Sequence, residues 1–444
     1  MAQKVTLVGG GLAGSLMAIF LVKKGFNVTI YEKRPDMRGS DYAGGRSINL
    51  ALSERGLRAL RKLGLDKEVL DLGIPMRGRM MHDVEGQLKY QPYGHNDQAI
   101  YSVSRGLLNI KLLQKADSMD NIEMFFEHDC ETANLETAET SYTNKKGEIV
   151  HDKADWVIAT DGAYSAVRMA FQMSGRFNYE QKYEAHGYKE LEILSDAEGG
   201  FPMNKNCLHI WPRKSFMMIA LPNPDATFTC TLFMPFKGEP GFDDLNTEQE
   251  ISDFMEGQFG DAVPLMPNFM NDFKENPVGS LVTIRSFPWF RGKTAMLGDS
   301  AHAIVPFYGQ GMNCCFEDCE DLDYCLSEMD NDMGKALQLF EDRRVVNANA
   351  IADLALKNFV EMRDWVGQPD FLARKTIEHD ISELYSDEYK TQYELVTFEN
   401  VSYKHAWDTG FKNDKLIDRI IADKLESKIS DKEFMQSLFK EYLT

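Results

Sequence analysis

An α/β fold, with a parallel sheet interrupted by a separate antiparallel sheet and closed by a helical C-terminal region, is what this sequence predicts. Three observations carry it. Val5-Thr6-Leu7-Val8 runs directly into Gly9-Gly10-Gly11-Leu12-Ala13-Gly14, then a helical stretch and a second apolar run. From about Phe177 to Phe236 the pattern changes to short apolar runs separated by Pro and Asn turns. From about Asp318 onward it is mostly helical. Alternating strand and helix at one end and consecutive strands in the middle point to different layers.

The N-terminal stretch is the most informative. Val5–Val8 reads as a strand buried on both faces, and Ser15 to Lys24 as a helix with Leu16, Ile19, Phe20 and Lys23 at helical spacing. Gly25 ends that helix, and Asn27–Tyr31 is a second strand closing on Glu32. Gly9, Gly11 and Gly14 occupy the G-x-G-x-x-G positions. The first permits the tight turn, the second lets backbone approach a pyrophosphate, and the third lets helix and strand pack closely. The pyrophosphate rests on the positive end of the helix. Glu32, at the end of the second strand, is placed to accept from a ribose. A Rossmann-like unit binding an adenine dinucleotide follows, although this stretch alone does not separate FAD from NAD.

At 444 residues the chain can form two or three domains. A net charge of −20 argues against nucleic-acid and anionic-membrane partners, which reward clustered Lys and Arg. No apolar run reaches the ~18 residues needed to span a bilayer, and no secretory leader is visible. Seven cysteines without paired C-x-x-C clusters argue against a thiolate metal site, so no metal is expected. Cys314, Cys315, Cys319 and Cys325 read as small buried residues of a reducing cytoplasm, and a cytoplasmic location is expected.

Further along, Ser53 is a candidate cap for a short helix, Met76 to Gly94 suggests a hairpin, and a helix begins near Val103–Leu108. Ile122–Phe126 and Trp156–Ala159 read as strands separated by a polar excursion around Tyr142 to Glu148. Cys207–Trp211, Phe216–Ala220 and Thr227–Phe233 form the antiparallel insert. Ile351, Leu354, Ala355, Asn358, Phe359 and Met362 share a helix face, which places Asn358 in an apolar stripe. Leu416, Ile417, Ile420 and Ile421 mark a later helix, and Ser430 with Glu433 reads as a capping box.

Two more motifs bear on the cofactor. Ala159-Thr160-Asp161-Gly162-Ala163-Tyr164-Ser165-Ala166-Val167-Arg168 is a strand, an acidic turn and a helix start. Ala295-Met296-Leu297-Gly298-Asp299-Ser300-Ala301-His302 is a second strand-turn, followed by Pro306 and Gly309-Gln310-Gly311-Met312-Asn313. With the N-terminal fingerprint, in this order, they resemble the DG and GD motifs of the flavin-dependent aromatic hydroxylases. Asp299 at its turn can accept from ribityl hydroxyls. A helix opening at Gly311 directs its positive end at an isoalloxazine carbonyl, which favours an anionic reduced flavin. His302 beside the turn reads as structural.

The stretches Gly45–Ser53, Arg77–Met80, Gln91–Gly94, Pro306–Asn313 and Asn358–Arg363 further resemble the kynurenine 3-monooxygenase family, over most of the chain to at least Phe398. That resemblance implies an aromatic hydroxylase fold: an FAD-binding domain at 1–176 completed by 280–330, an antiparallel β substrate domain at 177–279, and a helical region at 331–444 covering the active site. It implies hydroxylation of L-kynurenine at ring carbon 3 with transient NADPH and O2, through a flavin C4a-hydroperoxide. Arg79 and Tyr93 match the carboxylate contacts, and Asn358 and Tyr393 other polar contacts. Ile219, Leu221, Thr231, Phe233, Phe307 and Met362 match the wall around the ring. Tyr308 stands where some relatives have His, so it receives only a positioning role beside Arg79, Tyr93 and Phe307, and no acid or base is named.

For FAD, the implied set is Gly9, Gly11, Leu12, Gly14, Glu32, Lys33, Arg34, Ala51, Arg105, Asp161, Asp299, Gly311, Met312 and Asn313. The C-terminal membrane anchor of eukaryotic relatives is not seen in this sequence, which implies the soluble bacterial type, with a homodimer one option for assembly. The rival readings are a related flavin hydroxylase or reductase acting on another aromatic substrate, a flavin-binding protein without activity, and a bare NAD-binding module.

Overall fold

The computed structural model describes residues 2–39, 49–94, 98–362 and 369–443. Gly45–Ile48 and Arg363, used above for the family resemblance, lie outside the described residues. The chain forms two compact units, Met1–Gly73 with Val103–Tyr183 and Val282–Ala352, and Ile74–Ser102 with Glu184–Leu281 and Asp353–Thr444.

The first unit is built on a six-stranded sheet. Its central strand Lys4–Val8 pairs in parallel with Asn27–Glu32 on one side and Trp156–Ala159 on the other. Ile122–Phe126 and Thr294–Met296 extend the parallel pairing outward, and Phe290–Arg291 closes one edge antiparallel. Val5, Leu7 and Ile30 have no exposed surface, as strands covered on both faces require. The helix Leu12–Lys23 is buried from Gly14 through Leu21. It packs against helices Arg105–Asp117 and Gly311–Glu328, which explains an apolar content wider than one face. The polar excursion before Trp156 is itself a three-stranded sheet of His128–Asn134, Glu139–Asn144 and Ile149–Lys153.

A seven-stranded sheet runs in the order Gly279–Phe287, Asn178–Ile193, Phe228–Pro235, Phe216–Pro222, Cys207–Arg213, Gly78–His82, Leu88–Pro92, and its last five strands lie wholly in the second unit. The expected hairpin is present, with Gly78 opposite Pro92 and His82 opposite Leu88. Its first strand pairs in parallel with Cys207–Arg213. That pairing is why Ile74–Ser102 belongs to this unit, rather than to the N-terminal domain drawn from sequence. The insert is also not purely β: helices Glu248–Phe259 and Phe269–Glu275 pack Ile251, Met255, Phe259 and Phe273 onto Trp211, Met218, Cys230 and Leu232. Nor is 331–444 one region, since residues up to Ala352 group with the first unit and the rest with the second.

The C-terminal helices Pro369–Leu384, Tyr403–Ala422 and Lys432–Tyr442 share a core of Ile381, Leu416, Ile417, Ile420 and Met435. Ile421 falls off this face and is 39% exposed. Two caps differ from expectation. Asp431, not Ser430, caps the last helix by accepting from the Phe434 N–H, so the Ser430–Glu433 box does not form. Ser53 holds the N-cap position of Glu54–Leu63 without a side-chain capping bond. Among the described residues, no helix is long and apolar enough to cross a membrane.

Candidate functional site

The first unit gathers the residues expected to hold a dinucleotide near the carboxyl ends of its parallel strands, where such sheets bind ligands. Gly9 has φ +103, and a Cβ there would lie 2.6 Å from the Thr160 carbonyl oxygen. A Cβ on Gly14 would lie 2.0 Å from the Gly9 carbonyl oxygen, so both glycines are required by backbone approach. Gly11 is different: its nearest neighbour would be Arg34 Nη2 at 3.9 Å. Helix Leu12–Lys23 starts there with no side-chain cap and no acidic residue in its first turn. An open, uncapped N-terminus beside a glycine fits a pyrophosphate.

Glu32 is buried. One carboxylate oxygen accepts from the Gly10 N–H at 2.7 Å, and the other from the Arg34 N–H and Nε at 2.8 Å. Burial opposes its charge, but the Arg34 guanidinium and these hydrogen bonds outweigh it and hold the carboxyl below its usual range. Glu32 therefore also ties the glycine turn to the strand end. Lys33 and Arg105 are exposed, the latter at the first position of helix Arg105–Asp117.

Asp161 splits its two oxygens. Oδ2 accepts from the Ala166 and Val167 N–H groups, capping helix Ala166–Met173 with Ser165, while Oδ1 is buried without a protein partner. Asp299 opens the short helix Asp299–His302 and accepts at 3.6 Å from the Cys315 thiol. Helix Gly311–Glu328 also begins without a side-chain cap. The Asn313 side chain is used elsewhere: Oδ1 accepts from Ser53 N–H at 2.9 Å, and Nδ2 donates to the Ala51 and Gly309 carbonyls at 2.8 Å. It pins the strand carrying Ala51 to the turn before the helix, leaving the Met312 and Asn313 backbone at the uncapped end. The orphaned Asp161 oxygen, the opening at Gly11 and the two bare helix starts fit FAD.

His302 is 4% exposed and hydrogen-bonds through Nε2 to Asp318 Oδ2 at 2.6 Å. Burial disfavours its charge, but the Asp318 carboxylate outweighs this and raises its pKa well above the usual value. His302, Cys314 and Asp318 lie close enough to hold a metal. However, the Asp318 oxygens already accept from His302, Gly298 and Arg344, and the Arg344 guanidinium also reaches Cys314 Sγ at 3.4 Å. A cation there would face another cation.

The second unit brings together Arg79, Tyr93 and Tyr393. The Tyr93 and Tyr393 rings stack at 5.1 Å, and the guanidinium carbon of Arg79 lies 5.4 Å and 4.9 Å from their centroids. Gly78 faces the Gln91 carbonyl so closely that a Cβ would approach to 2.4 Å, which sets Arg79 in the hairpin. Electron-rich aromatic rings suit a guanidinium, whose planar fork matches a carboxylate in charge and shape. Burial raises both tyrosine pKa values, so their hydroxyls remain protonated donors. Asn358 donates to Met362 Sδ at 3.3 Å; both are buried.

Ile219 and Thr231 are cross-strand partners, and Leu221 and Phe233 follow two residues along their own strands, so all four share one sheet face. Trp211, Met218, Cys230 and Leu232 take the opposite face against the insert helices. Phe307 and Tyr308 stand on the turn Pro306–Tyr308 of the first unit, directly before Gly309. Asp318 and Arg344 were not singled out from sequence, and Cys315 was read only as a small buried residue. The signal was the acidic pair Glu317-Asp318 within a buried, cysteine-rich helix.

Residues 2–354 match the FAD binding domain family. The chain is 44% identical over 419 residues to a kynurenine 3-monooxygenase of Myxococcus xanthus, covering 94% of this chain and 90% of that one. It is 41% identical over 459 residues to the Dictyostelium discoideum kynurenine 3-monooxygenase, covering 99% and 98%. Among solved structures, 2-methyl-3-hydroxypyridine-5-carboxylic acid oxygenase superposes with a TM-score of 0.66 at 20% identity, over 84% of this chain and 95% of that chain. At that identity the likeness speaks to the fold alone.

Proposed function

The chain belongs to the kynurenine 3-monooxygenase family of FAD-dependent aromatic hydroxylases, and from that membership we propose that it converts L-kynurenine to 3-hydroxy-L-kynurenine with NADPH and O2. The observation that supports the substrate assignment is the Arg79–Tyr93–Tyr393 group, a cationic fork beside two stacked phenol rings. An amino-acid carboxylate matches that fork in charge and in bidentate geometry.

Bound FAD supplies the electron transfer and the activation of oxygen. The protein residues bind, orient and exclude water. Arg79 and Tyr93 hold the carboxylate, with Asn358 and Tyr393 as further polar contacts. Ile219, Leu221, Thr231, Phe233 and Met362 give the aromatic ring an apolar wall. The substrate's own aniline nitrogen enriches the ring carbon, so no strong protein base is required and Tyr308 serves in positioning. Catalysis then rests on alignment and dryness. Glu32, Asp299 and the uncapped helix starts at Gly11 and Gly311 hold the cofactor, with Leu12, Lys33, Arg34, Ala51, Arg105 and Asp161 around it. NADPH binds transiently, and the enzyme works in the cytoplasm.

The test is NADPH oxidation by the purified holoprotein with and without L-kynurenine. Substrate-stimulated oxidation giving a product heavier by one oxygen atom is expected. No stimulation would remove the assigned substrate.

A further inference from the structure

The four-residue helix Asp299–His302 is too short to hold its own place, yet it carries the acid assigned to the ribityl chain. One side chain reaches both of its ends. Asp318 Oδ2 accepts from the Gly298 N–H at 3.1 Å, at the helix start, and from His302 Nε2 at 2.6 Å, at its finish. Asp318 Oδ1 accepts from Arg344 Nε at 2.6 Å. Arg344 Nη1 in turn donates to Glu317 at 2.7 Å, and Glu317 accepts from Arg55 at 2.8 Å. Asp318 has no exposed surface and Arg344 is 3% exposed.

We propose that Asp318 is a positioning residue for the cofactor: it brackets the Gly298–Asp299 turn so that the Asp299 carboxylate is preset for the ribityl hydroxyls of FAD. The inference rests on the assignment of Asp299 to FAD. A buried carboxylate is tolerated only when its lone pairs are filled, and here two of the three donors are a guanidinium and an imidazole. The same helix touches the turn twice more. Gly298 has φ +66, and a Cβ on it would lie 3.0 Å from Cys315 Sγ. The Cys315 thiol donates to Asp299 itself. From the other side, Arg168 Nη1 donates to the Ser300 carbonyl at 2.9 Å, and Ser300 Oγ donates to the Ala159 carbonyl at 2.7 Å. Asp318 acts through Asp299 and touches neither substrate nor reacting atoms.

The test separates cofactor placement from plain stability. FAD is stripped from the holoprotein, and FAD and ADP are titrated back separately, by flavin fluorescence and by calorimetry. ADP carries only the half recognised by the Gly9–Gly14 turn. The comparison variant is Asp261→Asn, a carboxylate of the second unit that accepts from Trp211 Nε1 at 2.9 Å and pairs with His82 at 2.6 Å. Asp318→Asn should weaken FAD at least tenfold with ADP binding unchanged, while Asp261→Asn lowers the apoprotein Tm without altering either affinity. Should Asp318→Asn fail to fold, His302→Gln, which keeps the Asp318–Gly298 bond, should weaken FAD several-fold with ADP unchanged. Unchanged FAD affinity in the folded variant, or equal losses for FAD and ADP, would overturn the proposal. Failure of the parent chain to take up FAD would instead sink the assignment beneath it.

Discussion

Arg79 and Tyr393 form a cation–π contact: the guanidinium carbon lies 4.9 Å from the centroid of the tyrosine ring, on segments far apart in sequence. Arg79→Ala removes a charge-assisted contact, worth about 1.5–3 kcal/mol when the partner is charged. The apparent KM for L-kynurenine should rise roughly tenfold or more, with kcat changed far less. Steady-state kinetics check this, and an unchanged KM would take Arg79 out of the carboxylate site. Arg79→Lys should restore little, because an ammonium lacks the planar fork that matches a carboxylate.

Burial raises the pKa of both Tyr93 and Tyr393 above the usual 10.0. Each hydroxyl is therefore a donor throughout the neutral and mildly alkaline range. Tyr93→Phe should raise KM several-fold, while spectrophotometric phenolate titration below about pH 10 stays the same as in the parent. A phenolate signal below that pH, lost in Tyr93→Phe, would contradict the assignment.

Two glycines of the N-terminal turn should behave differently. Gly14→Ala drives a Cβ to 2.0 Å from the Gly9 carbonyl oxygen and 2.7 Å from Thr160 Oγ1, so the apoprotein itself should lose about 3 kcal/mol or more. Gly11→Ala meets only Arg34 Nη2 at 3.9 Å. It should leave apoprotein stability unchanged and weaken FAD at least tenfold, about 1.4 kcal/mol. Denaturation of the stripped proteins and FAD titration separate the two outcomes.

A buried histidine pair in the second unit sets an acid limit on stability. His209 Nε2 donates to the Asn204 carbonyl at 2.8 Å, so its Nδ1 accepts from His82 Nε2 at 2.8 Å, while His82 Nδ1 faces Asp261 at 2.6 Å. Burial lowers the His209 pKa from 6.5 to about 4. The unfolded chain thus takes up this proton before the folded one. Stability should fall as pH drops from 6.5 toward about 4, by on the order of 3 kcal/mol. Burial raises the Asp261 pKa, but hydrogen bonds from His82 and Trp211 outweigh it and lower it below 3.8, adding a further loss at still lower pH. Urea unfolding across this range checks the slope, which should be much reduced in His209→Gln.

The dinucleotide turn was legible because everything that specifies it is local: three glycines at fixed spacing, a strand before and a helix after. Strands Trp156–Ala159 and Ile122–Phe126 were legible for the same reason, as continuous apolar runs. The parallel pairing of Gly78–His82 with Cys207–Arg213 was not, because the partner lies far along the chain and no short-range pattern marks it. The sheet of His128–Lys153 was hidden because nearly all of its strand residues are at least partly exposed, with Thr140 and Tyr142 the buried exceptions. The helix Glu248–Phe259 did carry a readable signal, a Thr247–Glu250 capping box. At the last helix, Ser430 and Asp431 are both good caps, and only the backbone decides between them. The Asp318 bracket could not be read at all, since its partners Gly298, His302 and Arg344 converge only in the folded chain.

The most direct test of the central claim is oxygen labelling: the holoprotein, NADPH and L-kynurenine under 18O2, with the product resolved by mass and ring position. The account predicts one labelled oxygen at ring carbon 3 for each NADPH consumed. NADPH consumption that yields labelled peroxide and unaltered kynurenine would contradict it, making kynurenine an effector rather than the substrate.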